Sequence, residues 1–258
     1  MVARSRDDST PSVDRPDPGE ADYVDAGLVV AVDGPSGSGK SSAARGVATA
    51  LGLRYLDTGA MYRAVTWWML EHQVDLADTD SVIKQALGLP VELSTDPAAE
   101  QVRVAGFEVT TQIRERAVSN TVSRVASIPR VRGYLIAMQQ QIIADAVATS
   151  GGIVAEGRDI GTVVAPDAGV KVFLTASEQA RAERRTAELA SQHFDQVLAA
   201  AGPPDAELTK REQATRDRLD APQTQQAADA VEIDATELGL AEVIARIVSL
   251  TRSKRATQ

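Results

Sequence analysis

A continuous apolar run from Leu28 to Val32 ends in Gly34-Pro35-Ser36-Gly37-Ser38-Gly39-Lys40-Ser41, and nothing else in the 258 residues constrains the fold as much. A strand with no polar position is one covered on both faces, as in a buried parallel sheet. The octapeptide matches G-x-x-x-x-G-K-[ST] in full. From Lys40 to Leu51 small and apolar residues then recur at helical spacing, and Gly52 follows as a stop. Strand, glycine-rich loop and helix in this order make a phosphate cradle. The glycines let backbone N–H groups converge on phosphate oxygens, and the helix N-terminus adds partial positive charge. The residues from Gly34 through Ser42 are the candidate ATP-binding loop, with Lys40 reaching the β- and γ-phosphates and the Ser41 hydroxyl offered to Mg²⁺. The plain alternative is a glycine turn between a strand and a helix.

Further along, Tyr62 to Gln73 and Val131 to Val147 have helical periodicity, and Ile153 to Ala155, Val170 to Leu174 and Val231 to Asp234 read as short strands. Val91 to Leu93, Gln101 to Ala105 and Phe107 to Val109 predict a local antiparallel patch turning at Ala105-Gly106. Ser177 to Ala201 reads as a polar helix capped by Ser177, and Glu237 to about Leu250 as the last helix. Strands alternating with helices predict an α/β fold with a parallel sheet. The expected boundaries are a disordered acidic tail at 1–26 and one domain at 27–258, with a core of 27–90 and 128–252 and an insertion at about 91–127.

Composition removes several classes of function. With no Cys, and only His72 and His193, thiol catalysis and Cys- or His-rich metal sites are out of reach. A formal charge of −9, a pI of about 4.9 and 3% aromatic residues do not suit a nucleic-acid binder. No stretch approaches a membrane span, and Met1 to Ala26 has no apolar run of the signal-peptide kind, so a soluble cytoplasmic protein is expected. A GTPase would need N-K-x-D and D-x-x-G, and neither string occurs. Small-molecule phosphotransfer is the leading class.

Transfer between phosphates gathers negative charge, and the planar guanidinium binds phosphate oxygens in a fork. Arg63 lies in Leu56-Asp57-Thr58-Gly59-Ala60-Met61-Tyr62-Arg63, and Arg132 follows Pro129. Arg158 sits between Gly157 and Asp159 just past a buried strand, the edge where ligands bind in open α/β sheets. Arg181, Arg184 and Arg185 share a helical region at i, i+3 and i+4 and can converge on one target. Glu178, Glu183 and Glu188 leave open that this helix is a salt-bridged, solvated face.

The motifs GPSGSGKS, LDTGAMYR, SRVASIPRVR, EGRDIGTVVAPDA and RAERR, in this order, resemble bacterial cytidylate kinase, over about Val29 to Leu250. The resemblance implies a three-layer P-loop fold with a central parallel sheet, an inserted nucleoside-monophosphate-binding subdomain and a short lid at about 177–200. It implies transfer of the γ-phosphoryl group of ATP to CMP or dCMP, with Mg²⁺. Thr58, Arg63 and Arg158 would hold the acceptor phosphate, and Tyr62 would line the pocket near the sugar. Ser123, Arg132 and Asp159 match cytosine readers: a carboxylate accepts from the exocyclic amine, and a guanidinium donates to the ring acceptors. Arg216 and Asp220 match a sugar-contacting pair. Lys40, Arg158, Arg181, Arg184 and Arg185 would surround the transferring group. The partners implied are small nucleotides, without nucleic acid or membrane, and the chain is expected to be a monomer.

One segment departs from the pattern. Arg216-Asp217-Arg218-Leu219-Asp220 begins the family's R-D-x-x-D-x-x-R stretch, but Ala221-Pro222-Gln223 follows at once, so several residues look deleted and the second Arg is missing. Gln223 does not replace a phosphate-binding Arg, and Arg218 is left as the substitute through a shifted turn. Kinases for UMP or AMP are disfavoured by Asp159 and Arg132. A nucleotide-binding regulatory protein that has lost catalysis is the rival from another class.

Overall fold

Leu28–Asp33 forms β1, the middle strand of a five-stranded sheet. The computed structural model describes residues 27–195 and 206–255. The acidic tail expected at 1–26, and the part of the expected lid beyond Asp195, lie outside the described residues. After β1 come α1 (Lys40–Leu51), β2 (Arg54–Asp57), α2 (Thr58–Glu71) and α3 (Thr79–Ala86). Next are β3 (Val91–Leu93), β4 (Val102–Val104), β5 (Phe107–Glu108), α4 (Arg116–Ala126) and α5 (Pro129–Ser150). The chain continues with β6 (Gly152–Gly157), β7 (Val170–Thr175), α6 (Glu178–Asp195), α7 (Ala206–Asp220), β8 (Val231–Asp234) and α8 (Leu240–Arg255).

The main sheet has the order β2-β6-β1-β7-β8, and every pairing in it is parallel. Residues along β1 alternate between two cores. Val30 and Val32 pack with Ala44 and Val47 of α1 and Val243 and Ile247 of α8. Ala31 joins Met61 and Val65 of α2 and Leu135 of α5 on the opposite face. Both faces are therefore dry, which is why the strand is apolar from Leu28 to Val32 and the architecture has three layers.

A second sheet, β3-β4-β5, is antiparallel and turns at Ala105 (φ 49°) and Gly106 (φ 85°), the left-handed pair that a two-residue hairpin demands. The insertion expected at about 91–127, read from its sequence as short strands, also contains α4. Its Val118, Val122 and Val125 are buried at helical spacing. Valine-rich sequence biases a reading toward strand, and packing against α2 overrides that bias. Three other elements, β2, α3 and α7, were not anticipated. Strand β2 has charged residues at both ends and only Tyr55 and Leu56 between, so it shows no period; pairing with β6 makes it a strand. Helix α3 is nucleated by Asp78, whose Oδ1 accepts from the N–H groups of Asp80 and Ser81.

Candidate active site

The glycine-rich loop leaves the C-terminal end of β1 and wraps onto the N-terminus of α1. Gly34 has φ 147°, and a Cβ there would lie 2.1 Å from the carbonyl oxygen of Leu174 in β7, so only glycine lets the loop pass. Gly37 and Gly39 also have positive φ. Lys40 is buried, and its Nζ donates to the carbonyl of Pro35 at 2.8 Å. Burial, reinforced by the nearby Arg158 charge, pushes its ammonium down to about 8.

The loop is braced from two other elements. Arg181 of α6 donates to the carbonyl of Ser36 at 3.1 Å and is ion-paired with Asp217. Gln213 of α7 donates to the same carbonyl at 2.7 Å, and Arg184 donates to that of Ser38 at 3.2 Å. Of the three arginines expected to converge on the transferring group, the structure brings only Arg185 to the cleft, where it donates to Ser119 Oγ at 3.2 Å. Arg181 and Arg184 reach the loop's carbonyls instead, because their positions on α6 face the loop. Ser177 Oγ accepts from Ala180 N–H at 3.2 Å, which is the capping bond expected at the start of that helix.

The opposite wall is built by the ends of β2 and β6. Asp57 caps α2 by accepting from Ala60 N–H at 2.8 Å, and pairs with Arg63 at 2.7 Å. Burial favours its neutral form, but Arg63 and Arg114 outweigh this and hold the carboxyl below its ordinary range. Thr58 Oγ1 donates to the carbonyl of Glu156 at 2.7 Å. Glu156 itself is buried at the end of β6 and accepts from the Tyr55 hydroxyl at 3.0 Å; burial and the Asp57 charge raise its pKa. Tyr62 lines the cleft, its phenol pushed up to about 12 by burial.

Beyond β6, Arg158 pairs with Asp220 at 2.7 Å, and Asp159 is ion-paired with Arg132. Burial raises the Asp159 carboxyl against the opposing pull of Arg132. The next two N–H groups, of Ile160 and Gly161, both donate at 2.7 Å to the buried carboxylate of Asp33 at the end of β1. Asp33 thereby ties the glycine-rich loop to the segment carrying Arg158 and Asp159. Ser123 Oγ is buried in the cleft wall without a hydrogen-bond partner among the described residues, so it is free to meet a ligand. Arg216 is crowded by burial and by Arg158, which push its guanidinium down to about 9.

Seven cationic side chains line this cleft: Lys40, Arg63, Arg114, Arg132, Arg158, Arg185 and Arg216. Four carboxylates oppose them: Asp57, Glu156, Asp159 and Asp220. The local excess is positive although the whole chain carries −9. Gly34, Pro35, Ser38, Arg181 and Arg184 are the expected site residues outside the lining, and all belong to the loop or its braces. Arg218 is exposed and outside the cleft, which removes it as the substitute for the absent arginine. Arg114, at the end of a short 3₁₀ turn and ion-paired with Glu100, is a cleft cation that sequence reading missed. No motif marks it; it becomes visible only when the small sheet folds against α2.

Among the described residues no helix is long and apolar enough to cross a membrane. A three-layer α/β fold, with a glycine-rich loop at the end of its central strand and a cationic cleft beside it, defines a P-loop kinase. A family model described as cytidylate kinase matches residues 30–253. Among curated relatives, the cytidylate kinase of Streptomyces griseus is 46% identical over 88% of this chain and 94% of that protein. Those of Rhodococcus opacus and Streptomyces avermitilis are 47% and 44% identical, over 86% and 90% of this chain and 93% and 95% of their own lengths. The chain belongs to the cytidylate kinase family and is a nucleoside monophosphate kinase.

Proposed function

We propose that the enzyme transfers the γ-phosphoryl group of ATP to CMP or dCMP, giving ADP and CDP or dCDP. The observation that carries this reading is the cationic cleft, in which an anion-binding loop faces Arg63 and Arg158 on one side and an Asp159–Arg132 pair on the other. Lys40 and the loop's N–H groups hold the donor phosphates. Thr58, Arg63 and Arg158 hold the acceptor phosphate, with Tyr62, Arg216 and Asp220 flanking the sugar. Asp159 accepts from the exocyclic amine of cytosine, Arg132 donates to its ring acceptors, and Ser123 adds a hydroxyl. Uracil presents a carbonyl where cytosine has the amine and would leave the Asp159 carboxylate facing an acceptor.

The oxygen donors in the cleft fit a hard divalent cation. The Ser41 hydroxyl and the buried Glu156 carboxylate share the cleft, and among the described residues no cluster of three His, Cys, Asp or Glu exists that could hold a metal alone. Mg²⁺ held through Ser41, water and the substrate's own phosphates would neutralise charge on the transferring group. No base is required of the chain, because a phosphate monoester with a second pKa near ~6 is already nucleophilic at neutral pH. The side chains therefore work by positioning and by charge. Arg185 completes the cationic wall, while Arg181 and Arg184 keep the donor loop in shape. The same reading carries a cytoplasmic monomer acting on free nucleotides.

An ADP-release assay with CMP, dCMP, UMP and AMP as acceptors tests this. Turnover with CMP and dCMP, and little with UMP or AMP, is expected. Tight ATP binding with no turnover on any acceptor would instead support a regulatory protein.

A further inference from the structure

Gln223 stands where the family pattern leads one to expect a second arginine, and its side chain lines the cleft. Its Oε1 accepts from Nη1 of Arg132 at 3.1 Å. The other terminal nitrogen of the same guanidinium, Nη2, is ion-paired with Asp159. A planar guanidinium gripped at both terminal nitrogens has its plane fixed, whereas one held at a single nitrogen can pivot about that contact.

The two grips come from distant parts of the chain. Asp159 follows β6, and Gln223 ends the single 3₁₀ turn Ala221–Gln223 that follows α7. The residue just before that turn, Asp220, pairs with Arg158 at 2.7 Å. One short segment thus holds two cleft arginines. An arginine at 223 would set a further cation against Arg132 in a cleft whose crowding already lowers the Arg216 guanidinium. An amide contributes the acceptor that Arg132 needs and adds no charge. Of the five N–H donors of Arg132, one goes to Gln223 and one to Asp159, and among the described residues the remainder have no further hydrogen-bond partner and can face a base.

We propose that Gln223 is a positioning residue for base recognition: acting through Arg132, it fixes, together with Asp159, the orientation in which that guanidinium meets cytosine. The proposal rests on the reading of Arg132 and Asp159 given under the proposed function. Without the Gln223 acceptor, Arg132 pivots on Asp159 and can present a donor to the carbonyl that distinguishes uracil. The loss therefore falls on selectivity and not evenly on both pyrimidines.

The test compares kcat/KM for CMP and UMP in the full chain and in Gln223→Leu, Gln223→Ala and Gln223→Glu, with thermal melts of each. In the Leu and Ala variants the CMP-to-UMP ratio is expected to narrow about tenfold, the scale of a lost hydrogen bond to a charged group. Gln223→Glu keeps an oxygen acceptor and is expected to hold the ratio within about twofold of the unaltered chain, well inside one such bond. A merely structural residue, or one binding the acceptor phosphate, would lower both substrates in parallel. An unchanged ratio in Leu and Ala overturns the proposal, as does an equal narrowing in Glu. Failure of the unaltered chain to use CMP would instead refute the proposed function itself, so the two failures are distinguishable.

Discussion

Replacing Asp33 by Asn should change how stability depends on pH. Asp33 is 4% exposed, and its two oxygens each accept one backbone N–H, from Ile160 and Gly161. Burial raises its carboxyl from 3.8 to about 6, against the pull of those two N–H groups. Between these values the folded chain binds the proton more tightly than the unfolded chain does, so rising pH removes stability. A shift of about 2 units corresponds to about 3 kcal/mol in all, present below the unfolded pKa and lost once pH has risen past the folded one. Integrating the linkage relation, roughly 1.5 kcal/mol of that loss falls between about pH 5 and about pH 8. Asn does not titrate. It also leaves one of the two N–H groups without its acceptor, an offset of about 1–3 kcal/mol that is the same at every pH. The stability of the unaltered chain relative to Asp33→Asn should therefore fall by roughly 1.5 kcal/mol from about pH 5 to about pH 8, whatever the offset. Other titrating groups are shared by the two proteins and cancel in the difference, apart from the minor couplings to Asp159 and Lys40. Urea unfolding of both proteins across this range measures the slope. A difference that is flat with pH, or that rises, would refute the account of Asp33.

Burial and Arg158 lower Lys40 to about 8, so its positive charge is present below that pH and lost above it. ATP affinity should weaken as pH rises through about 8, as titration calorimetry would show, and Lys40→Ala should abolish turnover with the melting temperature preserved. A Lys40→Ala variant with a near-normal rate would remove this lysine from the mechanism. Asp159→Asn, which replaces an acceptor-only carboxylate by an amide that can also donate, should narrow the preference for CMP over UMP by on the order of tenfold or more. Steady-state kinetics on both nucleotides checks it, and an unaltered preference would take Asp159 out of base reading.

The parts of this molecule visible in its sequence are those where backbone geometry dictates residue type. The loop from Gly34 to Lys40 could be read because Gly34 must clear a carbonyl of β7 and Gly37 and Gly39 hold positive φ before the helix begins. Leu28 to Val32 and Ile153 to Ala155 were visible because burial on both faces leaves them no polar position, and Val170 to Leu174 because it has only one, Lys171. Strand β2 was not, since an edge strand of four residues takes its identity from its partner β6. Side-chain reach is less legible than side-chain type. The spacing of Arg181, Arg184 and Arg185 puts them on one helix face, but cannot say that two of them end on loop carbonyls and one in the cleft. Arg114 and Gln223 went unassigned for the same reason: each becomes a cleft residue through a turn whose packing is decided far away in the chain. The acidic net charge describes the chain as a whole and reverses at the site.

The central claim is that a phosphoryl group passes from ATP to a cytidine monophosphate in this cleft. Following the label from ATP radiolabelled at its γ-phosphate, in the presence of CMP, tests it most directly. The account predicts that the label appears in CDP, with CMP far outcompeting UMP when both are supplied. Label released only as inorganic phosphate, or retained in bound ATP, would contradict it.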